Sequence, residues 1–365
     1  MKRRSHIDHV LFIVLALLIV GGALLFSSAA FGLLARSGKA MASVFVSHLG
    51  FGVGVGLAAL AIAASLDYRR LRTWAPHIFV FALIATALVF VPHLGMEHGG
   101  GRRWIVILGM SLQPSEILKL ATLILAAAYA ATVRDSIATL RWGVGGFAGI
   151  MAAPALLLIM QPDIGTLGVI TLSTFSIFFA AGMRWRDMAI IALAGMLMLG
   201  TLIALKPYAR DRIMTFVDPS QGKQAESYQV HQALIAIGSG GVSGRGFGQG
   251  VQKFTYLPEP MGDSIFAVAG EELGFIGAGA IIILFLLLGL RGYWVAGHSR
   301  DPFGVYLATG IATYLVIEAF INIASMLSMA PLTGIPLTFM SQGGSAMLMS
   351  LASAGVLLSV SRGRG

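Results

Sequence analysis

The chain has 365 residues, of which 57% are hydrophobic and only 11% charged, with a formal net charge of +9. A soluble domain usually carries about 25% charged residues, so this composition excludes a water-soluble globule and points to an all-α polytopic membrane protein. The basic residues stand in small groups between apolar runs rather than along one face, which argues for topology-setting charges and against a nucleic-acid partner.

Taken in order, the chain opens with Lys2, Arg3 and Arg4 ahead of an apolar run at 10–34. The apolar core of a cleavable signal peptide is about 7–15 residues, so the longer run reads as a retained first span, with cleavage near 28–30 as the alternative. A bilayer crossing needs about 20 mainly apolar residues. Runs of that kind lie at 10–34, 42–65, 76–94, 112–133, 143–160, 164–182, 187–205, 264–290, 303–329 and 338–360. The sequence therefore predicts about ten spans in a single membrane domain, 1–365, with no internal repeat. Gln161-Pro162-Asp163 alone separates two of the runs, so a re-entrant pair is an alternative there.

With the N-terminus in the cytoplasm, the cytoplasmic segments hold Arg69/Arg70/Arg72, Arg134/Arg141, Arg184/Arg186, Arg291/Arg300 and Arg362/Arg364 besides the first three cations. The short outer loops hold only Arg36/Lys39 and Arg102/Arg103. This bias sets both termini inside. Residues 206–262 then form one long outer loop, and connections of that length are usually functional.

The absence of cysteine excludes disulfides, thiolate metal sites and cysteine nucleophiles. The eight histidines have no ligand spacing, and His231 is the one in the long loop. The glycine-dense stretch 238–250 has neither dinucleotide-binding nor Walker spacing. It reads as a flexible or tightly folded loop, or as backbone that approaches a ligand closely. Glu259 and Asp263 follow it, four apart, directly before an apolar span. Partial desolvation there can raise a carboxylate toward a useful general base; equally, Asp263 can cap the next helix.

Ionisable residues inside apolar runs are costly and tend to face a cavity or a partner. Glu116 and Lys119 lie on one helix face and can pair. Glu271 and Glu272 fall about two turns beyond Asp263, within reach of a headgroup cavity, and Glu318 can bond Asn322. Arg102-Arg103-Trp104 reads as an interfacial anchor or as a diphosphate clamp. Arg210, Arg212, Lys223, Arg245 and Lys253 add positive charge on the same side.

These residues carry a resemblance. Gly101-Arg102-Arg103-Trp104-Ile105, Gln113-Pro114-Ser115-Glu116 with Lys119, Pro162-Asp163-Ile164-Gly165-Thr166 and Ala236-Ile237-Gly238-Ser239-Gly240-Gly241 are among its anchors. Tyr256-Leu257-Pro258-Glu259, Asp263, Gly270-Glu271-Glu272-Leu273-Gly274 and Pro331-Leu332-Thr333-Gly334-Ile335-Pro336-Leu337 continue it. Over essentially its whole length the chain resembles the SEDS proteins, the FtsW/RodA group of bacterial cell-wall polymerases, and leans toward the division type.

The resemblance implies ten spans, both termini in the cytoplasm of a bacterial inner membrane, and an extracytoplasmic catalytic loop at about 206–263. It also implies a peptidoglycan glycosyltransferase that polymerises lipid II and releases undecaprenyl diphosphate, with Asp263 as the essential acid. Arg102, Arg103, Glu116, Lys119, Arg212, Lys253, Glu259 and Ser341 are the expected substrate-cavity residues. A divalent cation, magnesium or manganese, is implied as well. So are partners: the nascent glycan strand, a class B penicillin-binding protein acting as transpeptidase, and other divisome or elongasome proteins. Two stretches depart from the family pattern, Met261-Gly262 before the aspartate and Gln342 within Ser341-Gln342-Gly343-Gly344-Ser345. A lipid II transporter and a non-catalytic scaffold are the alternatives; neither needs a base at the outer interface.

The arginine distribution makes a topological prediction. Reporter fusions at Gly222 and Gly365 are expected to report opposite sides of the membrane, and a shared side rules out ten spans.

Overall fold

The computed structural model describes residues 7–34, 44, 46–98, 101–107, 110–218 and 224–363. Lys2, Arg3, Arg4, Arg36, Lys39, Gly222, Lys223, Arg364 and Gly365 lie outside the described residues.

Helix α1 (His9–Leu34) is followed by a π-helical segment (Val46–Val55) that runs into α2 (Gly56–Ser65), then α3 (Arg69–Ala87). Three short antiparallel strands come next: β1 (Gly95–His98), β2 (Gly101–Ile107) and β3 (Met110–Leu112), ordered β1-β2-β3. Helices α4 (Pro114–Thr132), α5 (Val144–Met160), α6 (Ile164–Ala180) and α7 (Trp185–Leu205) complete the first part. The long loop carries α8 (Pro207–Val217), α9 (Gln224–Ser239) and the single turn α10 (Gln252–Thr255). Helices α11 (Ile265–Gly297), α12 (Pro302–Met326) and α13 (Gly344–Arg362) close the chain.

Among the described residues eight helices are long and apolar enough to cross a membrane, and α5 and α6 are shorter apolar helices. Together they occupy all ten predicted runs. The chain is a multi-pass membrane protein, and the small sheet is an addition that the hydropathy pattern did not announce. Helices α4, α12 and α13 form the buried centre, with residues such as Leu118, Ile311, Tyr314 and Leu357 almost fully enclosed. Helices α3 and α7 turn large apolar side chains such as Phe81, Ile84, Leu193 and Met196 outward, as lipid-facing helices do.

Helix α11 is broken. Gly274 takes φ 67° and ψ −166°, a conformation open to glycine and strained for other residues. Backbone groups freed inside a packed bundle must find partners within the protein. They find them in the glycine-dense loop: Arg245 and Gly246 donate to the carbonyls of Glu271 and Glu272, both at 3.0 Å. Phe275 and Ile276 donate in turn to the carbonyls of Gly241 and Val242, at 2.9 and 3.1 Å. A Cβ on Gly244 would collide with the Glu272 carbonyl. The glycines therefore admit α11 itself, and of the readings left open the tightly folded loop is the one observed.

Glu271 and Glu272 pin this loop rather than facing a headgroup cavity. Glu271 accepts from the backbone of Val251 at 2.8 Å, and Glu272 accepts from Gly248 at 2.9 Å and from Ser28 of α1 at 2.7 Å. Lys253 lies 2.5 Å from Glu272 with its side chain fully enclosed. At the opposite end of the bundle, Arg291 grips Asp8 at 2.7 and 2.8 Å, and Tyr68 donates to Asp301 at 2.5 Å.

Removing one partner of a buried ion pair costs about 3–5 kcal/mol. Lys253→Met is expected to lower stability by that order in thermal unfolding of the detergent-solubilised protein. Adding Glu272→Gln, which keeps the acceptor and removes the unpaired charge, is expected to recover part of the loss.

Candidate active site

A cavity of about 370 Å³ opens at the end of the bundle that carries the sheet and the long loop. Its floor is Lys119 of α4, held 2.8 Å from Glu116 one turn earlier and 2.6 Å from Glu318 of α12, with the Tyr314 ring 5.0 Å away. The predicted Glu116–Lys119 pair is present. The expected Glu318–Asn322 contact is replaced, because Glu318 turns to Lys119 while Asn322 donates to the backbone carbonyls of Asp263 and Ile335, both at 2.8 Å.

One wall is Arg103 of β2. Its guanidinium donates to the carbonyls of Gln161, at 3.1 Å, and Pro162, and to the Tyr208 hydroxyl at 3.2 Å. Asp163 lies 3.8 Å from it. Asp163 also caps α6 by accepting from the Thr166 amide at 3.3 Å, and Gln113 donates to its other oxygen. The turn between α5 and α6 is thus a rigid bracket for the arginine. Strand alternation separates the adjacent arginines: Arg103 points inward and Arg102 is exposed, outside the cavity lining.

Arg212 of α8 forms another wall. Its guanidinium stacks 4.5 Å over the Tyr208 ring, 3.9 Å from Glu226, and its Nε is buried without a hydrogen bond. It is less engaged than Arg103, so it has more capacity left for an anion.

The roof is the turn before α11. Glu259 sits at φ 44°, a region that non-glycine residues seldom adopt, and its carbonyl accepts from Gly262 at 2.9 Å. Ser341 donates to the Gly262 carbonyl at 2.6 Å, and the Gln342 amide donates to Met261 at 2.6 Å. Ser341 therefore stands behind the turn and braces it, outside the cavity lining. Lys253 is also elsewhere, in the Glu272 pair.

Asp263 is half-buried, and its Oδ1 accepts from Gln229 of α9 at 2.9 Å. It does not cap α11: Ser264 occupies the cap position and no side chain caps that helix. Burial, reinforced by the charge on Glu259, raises the Asp263 carboxyl to about 6, against the opposing pull of Gln229 and Arg212.

Six of the nine expected residues thus converge on one cavity: Arg103, Glu116, Lys119, Arg212, Glu259 and Asp263. Gln229, Tyr208 and Asn322 were not anticipated as parts of the site. Asp163 and Gln113 figured in the resemblance only. For the implied divalent cation, the described residues hold no cluster of three His, Asp or Glu side chains, and Lys119 already engages Glu116 and Glu318. The protein groups here do not fit a resident metal cage.

Comparison with known proteins places the chain. The model of a family described as "Cell cycle protein", covering FtsW, RodA and SpoVE, matches residues 8–364. Stage V sporulation protein E of Bacillus subtilis is 37% identical over 309 residues, 85% of this chain and 84% of that protein. Peptidoglycan glycosyltransferase MrdB of Escherichia coli K12 is 31% identical over 360 residues, 98% and 94% of the two chains. Among solved structures, a chain of a peptidoglycan synthase complex superposes with a TM-score of 0.78 at 27% identity, with 98% of both chains covered. The rod shape determining protein RodA of Thermus thermophilus gives 0.70 at 26% identity, covering 98% of this chain and 97% of that one.

Proposed function

The chain belongs to the FtsW/RodA/SpoVE family of cell cycle proteins, and we propose that it is a peptidoglycan glycosyltransferase that polymerises lipid II, with Asp263 as its general base. The observation that carries the reading is one cavity in which a carboxylate raised to about 6 faces Arg212, Arg103 and Lys119. Chain growth requires a sugar hydroxyl to attack an anomeric carbon that bears a lipid diphosphate. As the new C–O bond forms, the hydroxyl proton passes to Asp263. The old C–O bond breaks and its electron pair leaves with the diphosphate. A base titrating near the working pH suits the first task, and fixed cations that meet the growing negative charge suit the second. Arg212 is the main diphosphate contact, since Arg103 spends several donors on the α5–α6 turn.

The arginine distribution supports a bacterial inner-membrane orientation with both termini cytoplasmic and 206–262 outside. The likeness to a chain of a complex that couples polymerisation to crosslinking supports a class B penicillin-binding protein as partner. Identity of 37% to an FtsW of Geobacter sulfurreducens, against 31% to MrdB, supports the division-type lean.

Asp263→Asn is expected to lower glycan synthesis from labelled lipid II by about 10²–10⁴-fold while lipid II binding persists. Wild-type rate in that variant, with the protein folded, removes the base from the site and raises the transporter and scaffold readings. Because the ionised form is the active one, wild-type kcat/KM should fall as pH drops through about 6. Glu259→Gln removes a like charge, so it should keep measurable activity and move that acid limb to lower pH. Arg212→Gln should slow turnover more than Arg103→Gln does.

A further inference from the structure

We propose that Gln229 is the positioning residue for the base: its amide holds Oδ1 of Asp263 and leaves Oδ2 to take the proton of the attacking hydroxyl. This rests on the reading of Asp263 as general base.

Among the described residues Gln229 is the one side chain that hydrogen-bonds the Asp263 carboxylate. Its Nε2 donates to Asp263 Oδ1 at 2.9 Å and to the buried Ser264 hydroxyl at 3.0 Å. The amide orientation follows from chemistry: an ionised carboxylate only accepts, so the NH₂ group must face it. Both amide protons are committed, and the two bonds set the carboxylate plane against the first residues of α11.

The placement of Gln229 is itself constrained. Helix α9 is seated on α11 without slack, since a Cβ on Gly270 would come within 2.9 Å of Ile237 and one on Gly240 would collide with the Gly270 carbonyl. From the other side, Asn322 of α12 holds the Asp263 carbonyl at 2.8 Å. The backbone and the carboxylate of Asp263 are therefore fixed by two neutral amides from two different elements.

Neutrality has a chemical use. A cation bonded directly to Asp263 would orient it equally well but would depress its basicity strongly. An amide orients the group and takes away less proton affinity. The charged groups that face the carboxylate from its surroundings are Glu259 of its own turn and Arg212 of α8, with Arg103 of β2, Lys119, Glu116, Glu318 and Asp163 deeper in the cavity.

The test is lipid II polymerisation by the full-length protein across pH, for Gln229→Leu and Gln229→Glu beside Asp263→Asn. A hydrogen bond to a charged group is worth about 10- to 100-fold in an equilibrium. Gln229→Leu is expected to lower kcat by about that factor with KM within about twofold. Its acid limb should move up by about one pH unit, because the carboxylate has lost a donor. Gln229→Glu, nearly isosteric, should move the limb at least as far, because a second carboxyl now adjoins the first; it carries the same readout if the leucine variant does not fold.

A folded Gln229→Leu protein with the wild-type acid limb overturns the proposal, whether its kcat is unchanged or its loss lies in KM, because a packing role does not move a proton equilibrium. The parent reading fails separately, if Asp263→Asn polymerises at wild-type rate. An inactive Asp263→Asn with an unshifted Gln229→Leu sinks this inference alone.

Discussion

Helix α11 breaks at Gly274 within the packed bundle, where a buried peptide group left without a partner is costly. The organisation of the loop end follows from that single constraint. The four backbone groups released at the break bond the 241–246 backbone, which brings the loop into the bundle. Glu271 and Glu272 then fasten the next residues, with Lys253 and Ser28 completing a buried polar knot. Because α9 leads directly into this loop, its seat on α11 is set as well. The position of the amide opposite Asp263 is thus a distant outcome of one helical interruption.

The cavity shows a division of labour among like residues. Two arginines reach it, yet Arg103 is clamped by carbonyls and Asp163, while Arg212 rests on a tyrosine ring with a donor unused. Lys119 is closed in by two carboxylates and an aromatic ring, so it acts on the cavity through the local field rather than through a free ammonium. Of the cavity carboxylates, Asp263 and Glu259 have no cation within ion-pairing distance among the described residues; Asp263 is the half-buried one that Gln229 holds. Burial and the neighbouring Glu259 charge leave it weakly acidic.

Most of the spans were legible because length and hydropathy are local properties of the chain. The β1–β3 sheet was not: Gly95–His98 and Met110–Leu112 are too short to show a period of two, and they gain their strand character only by pairing with Gly101–Ile107. Asp263, Glu259, Glu116 and Lys119 stood out because charge is rare in apolar surroundings. Lys253 misled for the same reason, since nothing local says that its partner is Glu272, nineteen residues further along. Gln229 and Asn322 carry no charge and sit in ordinary helical text, and their roles arise only when α9 and α12 meet the turn before α11. Ser341 was noticed as part of a pattern, but its work is to brace Gly262 from behind.

The two shortest candidate spans, α5 and α6, meet at a turn beside the cavity. Helices α5 and α6 have 17 residues each, which at about 1.5 Å per residue is roughly 25 Å, against a hydrocarbon layer of about 30 Å. A hydrophobic wall shorter than the hydrocarbon layer is matched by thinning of the adjoining lipid, by snorkelling of flanking residues or by association. The N-terminal end of α6, at Asp163 and Thr166, is also part of the cavity lining. On the reading of Asp263 as base, thinning beside this wall would shorten the path of a lipid-borne sugar head toward it without leaving the acyl tail unsolvated.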